Sequence, residues 1–233
     1  MAVLFFILSP VLQAAARSTK GIPRLSSGER ALIKIPGEVK DVLIGILLGD
    51  AHIVRRTSTS NSRLVYAQTA VAHKEYFYYV LSFFLPFCQG GQDYKPQSRI
   101  VVDNRTKKTY SAISFTTMQL PCFNMYRELF YPQNVKRVPD NIYEMLTPRA
   151  LAFWLMDDAS KHGGGMHIGV YAFCNTDVDQ LMFTLQDKFN IKCSIHYNRD
   201  KKPRIYIFKQ SMDTLINLVK PYFIKEMLYK LGI

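Results

Sequence analysis

Apolar and polar positions along the chain fall into blocks of differing period, and the blocks recur in the same order. A nearly unbroken apolar run leads into Gly49-Asp50-Ala51 and predicts a buried helix over Val42 to Asp50. The Ser/Thr-rich stretch from Arg55 to Arg63 then predicts a hairpin region, and Arg63 to Thr69 alternates apolar and polar as a strand does. The aromatic-rich segment Lys74 to Phe87 has helical spacing, and Gly90-Gly91 separates it from the next segment. Lys95 to Val102 and Thr109 to Thr117 read as two strands about a turn at Asp103-Asn104-Arg105. A short helix near Asn124 to Phe130 closes the series.

Pro132 to Pro139 reads as a linker, after which the series begins again. Thr147-Pro148 supplies a capping hydroxyl and a proline at the first helical position, so a helix carrying Leu151 to Asp158 starts there. The turn Gly163-Gly164-Gly165 precedes a strand over Met166 to Cys174. A helix is predicted from about Thr176, with Asp179 at capping-box spacing. Strands Lys192 to Asn198 and Arg204 to Phe208 flank an Arg199-Asp200-Lys201-Lys202 turn, and two terminal helices split by Pro221 end the chain. The expectation is an α+β fold of two pseudo-symmetric αββαββα halves, residues 40–131 and 146–233. A leader over 1–39 precedes them and a linker over 132–145 joins them.

Each half thus carries an apolar helix that delivers a carboxylate at its C-terminal end: Leu43 to Ala51 and Leu151 to Ala159. The helix dipole is negative there, so an anion needs a cation beside it. Two such ends brought together demand a divalent metal or a cluster of basic groups. Gly45 and Gly49 lie four apart on one helix face, where small residues let two backbones approach closely.

Composition narrows the partners. The 233 residues suffice for one domain or two small ones, and 48% hydrophobic content supports a folded core. Thirty Lys and Arg against 18 acids give a net charge of +12, which favours a polyanionic partner. Nucleic acid comes first, an anionic membrane surface second, and a basic protein with no such partner third. Cys88, Cys122, Cys174 and Cys193 form no Cys-x-x-Cys pair and no zinc spacing with the histidines, and read as reduced core thiols. The apolar stretch Met1 to Ala16 is too short, and too broken by Pro10, to span a bilayer. It has the length of a signal-peptide core without a basic leading region, while the acid-poor stretch to Lys40 loosely fits a transit peptide. Residual upstream coding sequence is a third reading.

The two acid-tipped segments resemble the signature of single-chain, two-motif LAGLIDADG homing endonucleases. On its nine letters, Asp50 and Asp158 both fall on the eighth, the metal-binding aspartate, and Asp157 on the seventh as a neighbour. Both copies depart at the ninth letter, where Ala51 and Ala159 replace glycine. Leu146-Thr147-Pro148, Phe153 to Asp158 and Met227 to Leu231 are similar to the intron-encoded yeast-type branch. The resemblance implies a saddle of antiparallel sheets with the two motif helices at its centre. It implies a monomeric, site-specific double-strand DNA endonuclease acting on a long asymmetric target. Mg²⁺ or Mn²⁺ would be held by Asp50, Asp158 and the backbone carbonyls of Ala51 and Ala159, with a staggered cut across the minor groove. Lys136 and Lys230 fall on its basic active-site positions, and Gln68 matches a polar strand residue close to the metals. His52, two residues past Asp50, reads as a surface histidine rather than a ligand. The same resemblance leaves open an RNA maturase that assists splicing, with intron RNA as its partner. It also implies residence in a mitochondrion or another organelle. A membrane-surface protein would leave the duplicated motif unexplained, so no membrane partner is expected.

Alternation supplies a reading surface. In Lys192 to Asn198, one face holds Cys193, Ile195 and Tyr197 and the other Lys192, Ser194, His196 and Asn198. Packing the first face on helices leaves the second for base edges in the major groove, extended by Arg204 and Tyr206. Arg63, Lys95, Gln97 and Arg99 take that part in the first half, and Lys161 lies just past the second motif.

Overall fold

The structure, a computed structural model, describes residues 25–102 and 109–233. The apolar stretch Met1 to Ala16, the rest of the expected 1–39 leader as far as residue 24, and the turn at Asp103-Asn104-Arg105 lie outside the described residues.

A short helix α1 (Ser27–Leu32), closed by a Ser26–Glu29 capping box, leads into α2 (Gly37–Leu48), the first motif helix. Strands β1 (His52–Val54) and β2 (Arg63–Thr69), helix α3 (Lys74–Phe84), strands β3 (Gln97–Val102) and β4 (Thr109–Thr116), and helix α4 (Asn124–Phe130) complete the first αββαββα series. After α5 (Ile142–Met145) the second series runs through α6 (Pro148–Asp158), β5 (Ala159–His162), β6 (Gly165–Gly169), α7 (Asn175–Phe189), β7 (Cys193–Tyr197), β8 (Pro203–Ile207) and α8 (Met212–Val219). Each half forms one antiparallel four-stranded sheet of the same topology, β1-β2-β4-β3 and β5-β6-β8-β7. Among the described residues no helix is long and apolar enough to cross a membrane.

Alternation sets which face each strand buries. Leu64, Tyr66 and Gln68 of β2 and Ile113 and Phe115 of β4 turn inward, against Phe77, Val80 and Phe84 of α3. Rings of Tyr66, Phe77 and Phe115 contact one another at centroid distances of 5.6 to 6.1 Å. Ile168, Ile205 and Ile207 do the same against Val178, Leu181 and Leu185 in the second half. The motif helices are apolar all round because they lie between the halves: Val42 to Leu48 and Ala150 to Asp157 are all buried.

Several boundaries differ from the sequence expectation. α2 begins at Gly37, five residues early, and stops at Leu48, so Asp50 lies beyond the helix. α3 stops at Phe84 and gives way to a 3₁₀ turn containing Pro86, which lacks the donor a longer helix needs. β6 ends at Gly169 because the chain turns, with Phe173 N–H on the Val170 carbonyl. Cys174, not Thr176, caps α7, and no side-chain capping bond forms there. The second terminal helix is replaced by 3₁₀ turns at Lys220–Tyr222 and Lys225–Lys230. The segment 132–145 is no bare tether, since Val138, Ile142 and Met145 are buried. All four cysteines are free; Cys88 and Cys193 are buried, Cys122 is half-buried, and Cys174, expected in the core, is exposed.

Candidate active site at the paired helix ends

The two motif helices pack against each other at glycine. A Cβ on Gly45 would lie 2.4 Å from the Ala150 carbonyl oxygen, and one on Gly49 2.3 Å from Asp157 Oδ2. The i, i+4 glycines therefore set the close approach of α2 and α6, as their spacing implies. Beyond Leu48 the chain stays wound by bonds from Gly49 N–H to Gly45 O (3.2 Å) and from Ala51 N–H to Ile46 O (2.8 Å). α6 continues through Asp158 and closes with Ala159 N–H on Leu155 O. Asp50, Asp157 and Asp158 thus converge where both helix dipoles are negative.

Asp157 joins the two motifs. Its Oδ2 accepts from the Asp50 backbone N–H at 3.0 Å and its Oδ1 from the Tyr66 hydroxyl at 2.9 Å. Only 9% of it is exposed, which agrees with its expected place as a neighbour rather than an open ligand. Gln68 donates from Nε2 to Asp50 Oδ2 at 2.7 Å and to the Tyr66 oxygen at 3.1 Å. Its Oε1 lies 3.0 Å from His73 Nδ1, and His73 Nε2 lies 3.4 Å from the Tyr229 hydroxyl.

The cations that such an anionic corner requires are present. Lys136 Nζ donates to the Gly49 carbonyl at 2.7 Å. Lys230 Nζ, on a residue only 5% exposed, donates to the carbonyls of Met156 and Asp157, the latter at 2.9 Å. Burial lowers both ammonium pKa values against the pull of the three carboxylates. Burial, and then the Asp50 charge, raise Asp157 well above the usual carboxylate range. The same two causes push Asp158 up to about 7, although both lysines oppose the shift.

Three acidic side chains meet two lysines at this corner, and a divalent cation can take the place of the protons that burial favours on Asp157 and Asp158. Among the described residues no three His, Cys, Asp or Glu side chains are grouped to hold a metal alone. A cation here would need carbonyl, water or phosphate oxygens to complete its shell, the donor set of Mg²⁺ and its relatives.

Asp50, Asp158, Lys136, Lys230 and Gln68 are therefore brought together as expected. The carbonyls that receive the lysines belong to Gly49 and Asp157, one helical position before each aspartate, whereas the expected ligand carbonyls were those of Ala51 and Ala159. Sequence reasoning passed over Tyr66, although it sits two positions from Gln68 on the same strand face, and over His73.

The outer sheet faces carry most of the expected reading residues. Registers Ala67↔Ser114, Gln97↔Ser114 and Arg99↔Ala112 put Arg63, Gln97 and Arg99 on one face, with exposed Lys95 just before β3. In the second sheet Ser194, His196, Arg204 and Tyr206 share the outer face with His167, which was not anticipated. The His196 ring stacks on Tyr206 at 4.5 Å, and Arg204 Nε donates to the Tyr171 hydroxyl at 2.6 Å. Lys192 is exposed just before β7, and Asn198 Oδ1 accepts from Lys202 N–H, which ties it to the turn. Lys161 leaves the row: paired with inward Met166, it falls on the opposite face from Ser160 and His162. Tyr197, expected to pack inward, is 60% exposed because it lies at the sheet's outer end, opposite Pro203.

The profile of the LAGLIDADG DNA endonuclease family matches residues 40–215. A cytochrome b mRNA maturase bI2 from Debaryomyces hansenii is 33% identical over 198 residues, covering 84% of this chain and 74% of its own. An intron-encoded endonuclease ai4 from Dictyostelium discoideum is 41% identical over 133 residues, covering 56% of this chain and 83% of its own. Among solved structures, the homing endonuclease I-WcaI bound to its DNA recognition sequence superposes with a TM-score of 0.80 at 24% identity, over 91% of this chain and 95% of that one.

Proposed function

The chain belongs to the LAGLIDADG DNA endonuclease family, and from that premise we propose that it is a site-specific double-strand DNA endonuclease of the homing type, dependent on a divalent cation. The observation that carries this reading is the convergence of Asp50 and Asp158 at one corner, with half-buried Lys136 beside the first and buried Lys230 beside the second. Asp157 is used in joining the helices, but a purely structural helix pair has no use for two further carboxylates at its negative ends.

Asp50 and Asp158 would hold Mg²⁺ or Mn²⁺, one carboxylate for each DNA strand, with backbone carbonyl, water and phosphate oxygens completing the shell. Bound there, a divalent cation supplies charge neutralisation on the scissile phosphate and an ordered water for in-line attack. Lys136 and Lys230 keep positive charge at the corner, where negative charge grows on the phosphate in the transition state. Gln68 fixes the Asp50 carboxylate. The outer faces with Arg63, Gln97, Arg99, Ser194, His196, Arg204 and Tyr206 would lie along the duplex, reading base edges. The net charge of +12 would supply phosphate contacts. One chain carries both halves, so a monomer suffices, and the cytochrome b relative supports residence in a mitochondrion or another organelle.

A second reading, a maturase that binds intron RNA, is favoured by the Debaryomyces hansenii relative and can coexist with cutting. Selection of cleaved molecules from a randomised duplex library in Mg²⁺ tests the primary reading. Recovery of one long asymmetric site with a staggered break is expected, and a library left intact in both Mg²⁺ and Mn²⁺ would overturn it.

A further inference from the structure

The polar network at the site serves one of the two motif aspartates, Asp50. His52 and Ser160, each two residues past its aspartate, pair across the sheet with Val65 and His167. Counting from those pairs, Tyr66 corresponds to Ile168 and Gln68 to Val170, both counterparts apolar and buried. His73 caps α3, whereas Cys174 caps α7. Tyr229 precedes Lys230 as Val135 precedes Lys136. Every polar partner of the Asp50 carboxylate in this chain of contacts is thus without an equivalent at Asp158.

The direction of the chain of bonds is set by chemistry. Gln68 Nε2 donates to Asp50 Oδ2, so the amide turns its oxygen toward His73. The ring then donates from Nδ1, and in its neutral form Nε2 accepts from the Tyr229 hydroxyl at 3.4 Å. The sequence Tyr229 O–H, His73 Nδ1–H, Gln68 Nε2–H, Asp50 is a directed relay from the C-terminal segment of the second half to the first half's carboxylate.

We propose that His73 is a positioning residue for the Asp50 half-site alone, acting through Gln68, so that the two DNA strands are cut by unequally supported centres. The proposal rests on the nuclease reading above and names the residue that makes its two centres differ. Loss of an outer hydrogen bond that orients a metal-binding group lowers activity about 10–100-fold. His73→Leu should therefore slow cutting of one strand by that factor and leave the other within about threefold. His73→Asn, whose amide can donate from the position of Nδ1–H, should return the slowed strand to within about threefold of wild type. His73→Gln, reaching toward the Nε2 position, should not.

The test is single-turnover cutting of the selected duplex with a different dye on each strand, together with ¹⁵N chemical shifts of the His73 ring in the metal-free protein. An unfolded variant would lose both strands together, so the second strand is an internal control read alongside circular dichroism. Equal slowing of both strands in a folded His73→Leu protein would overturn the proposal, as would an Nε2–H tautomer. If wild type cuts neither strand of any duplex, the nuclease reading fails and the strand claim with it, and the tautomer then decides the relay alone.

Discussion

Substituting Gly49 by alanine probes the joint between the two motifs. The new Cβ would lie 2.3 Å from Asp157 Oδ2 and 2.5 Å from Asp157 Cβ. The carboxylate oxygens could swing aside, but the Cβ moves only with α6. Displacing Asp157 strands the buried Tyr66 hydroxyl and the Asp50 N–H, which it now satisfies. An unpaired buried donor costs about 1–3 kcal/mol and overpacking a similar amount, so the substitution should cost about 2–6 kcal/mol. That is a large share of the roughly 5–15 kcal/mol that holds a domain folded. Urea denaturation followed by Trp154 fluorescence would measure it, since that ring is fully buried. A double-mutant cycle isolates the cause: in an Asp157→Gly background, which removes the obstructing Cβ, Gly49→Ala should cost at least about 2 kcal/mol less. A Gly49→Ala protein within about 1 kcal/mol of wild type, or an equal cost in both backgrounds, would refute this account of the seam.

Asp158 sits at about 7 against an ordinary 3.8, so between those values the folded, metal-free chain keeps a proton that the unfolded chain has released. Its contribution makes metal-free stability fall as pH rises across that window, and a cation that displaces the proton binds more tightly as pH rises. Calorimetric titration of the enzyme–DNA complex with Ca²⁺ should show affinity climbing by up to about tenfold per pH unit below about 7 and levelling above it; a flat profile from about pH 5.5 to 8 would contradict this. Lys230→Met removes the ammonium that caps the Met156 and Asp157 carbonyls, and should lower the cutting rate about 10²–10³-fold with DNA affinity within about threefold. A rate loss below tenfold would show that Lys230 only packs. Arg63→Ala should relax sequence preference at one base pair by about 1–3 kcal/mol, measured by competition binding against single-base variants of the selected site, and an unchanged preference would remove it from the reading face.

Much of the architecture was legible because most elements announce themselves locally. Thr147-Pro148 starts α6 where the capping hydroxyl and proline demand it, and Thr147 does accept from Ala150 N–H at 3.1 Å. Both αββαββα series follow from period and punctuation, and Gly45 and Gly49 foretold the close helix approach. What stayed hidden depends on contacts between distant segments. Nothing local marks Asp157 as the acceptor for Tyr66 and the Asp50 amide, 91 and 107 residues away. His73 looks like any residue before a helix until Gln68 is seen against it. That the lysines cap the carbonyls at positions 49 and 157 depends on where the helices end, the least legible feature of a sequence. Lys161 was misplaced because the start of β5, and so the parity of its faces, could not be read through Gly163-Gly164-Gly165.

The central claim is that Asp50 and Asp158 act together on a nucleic-acid backbone. Its most direct measurement is strand-resolved cutting and DNA affinity, in Mg²⁺, for Asp50→Asn and Asp158→Asn beside wild type. Each substitution is isosteric and leaves the outer sheet faces untouched, so double-strand breaks should vanish while affinity stays within about tenfold, set by contacts made elsewhere. Double-strand cutting at the wild-type rate in either variant would contradict the account.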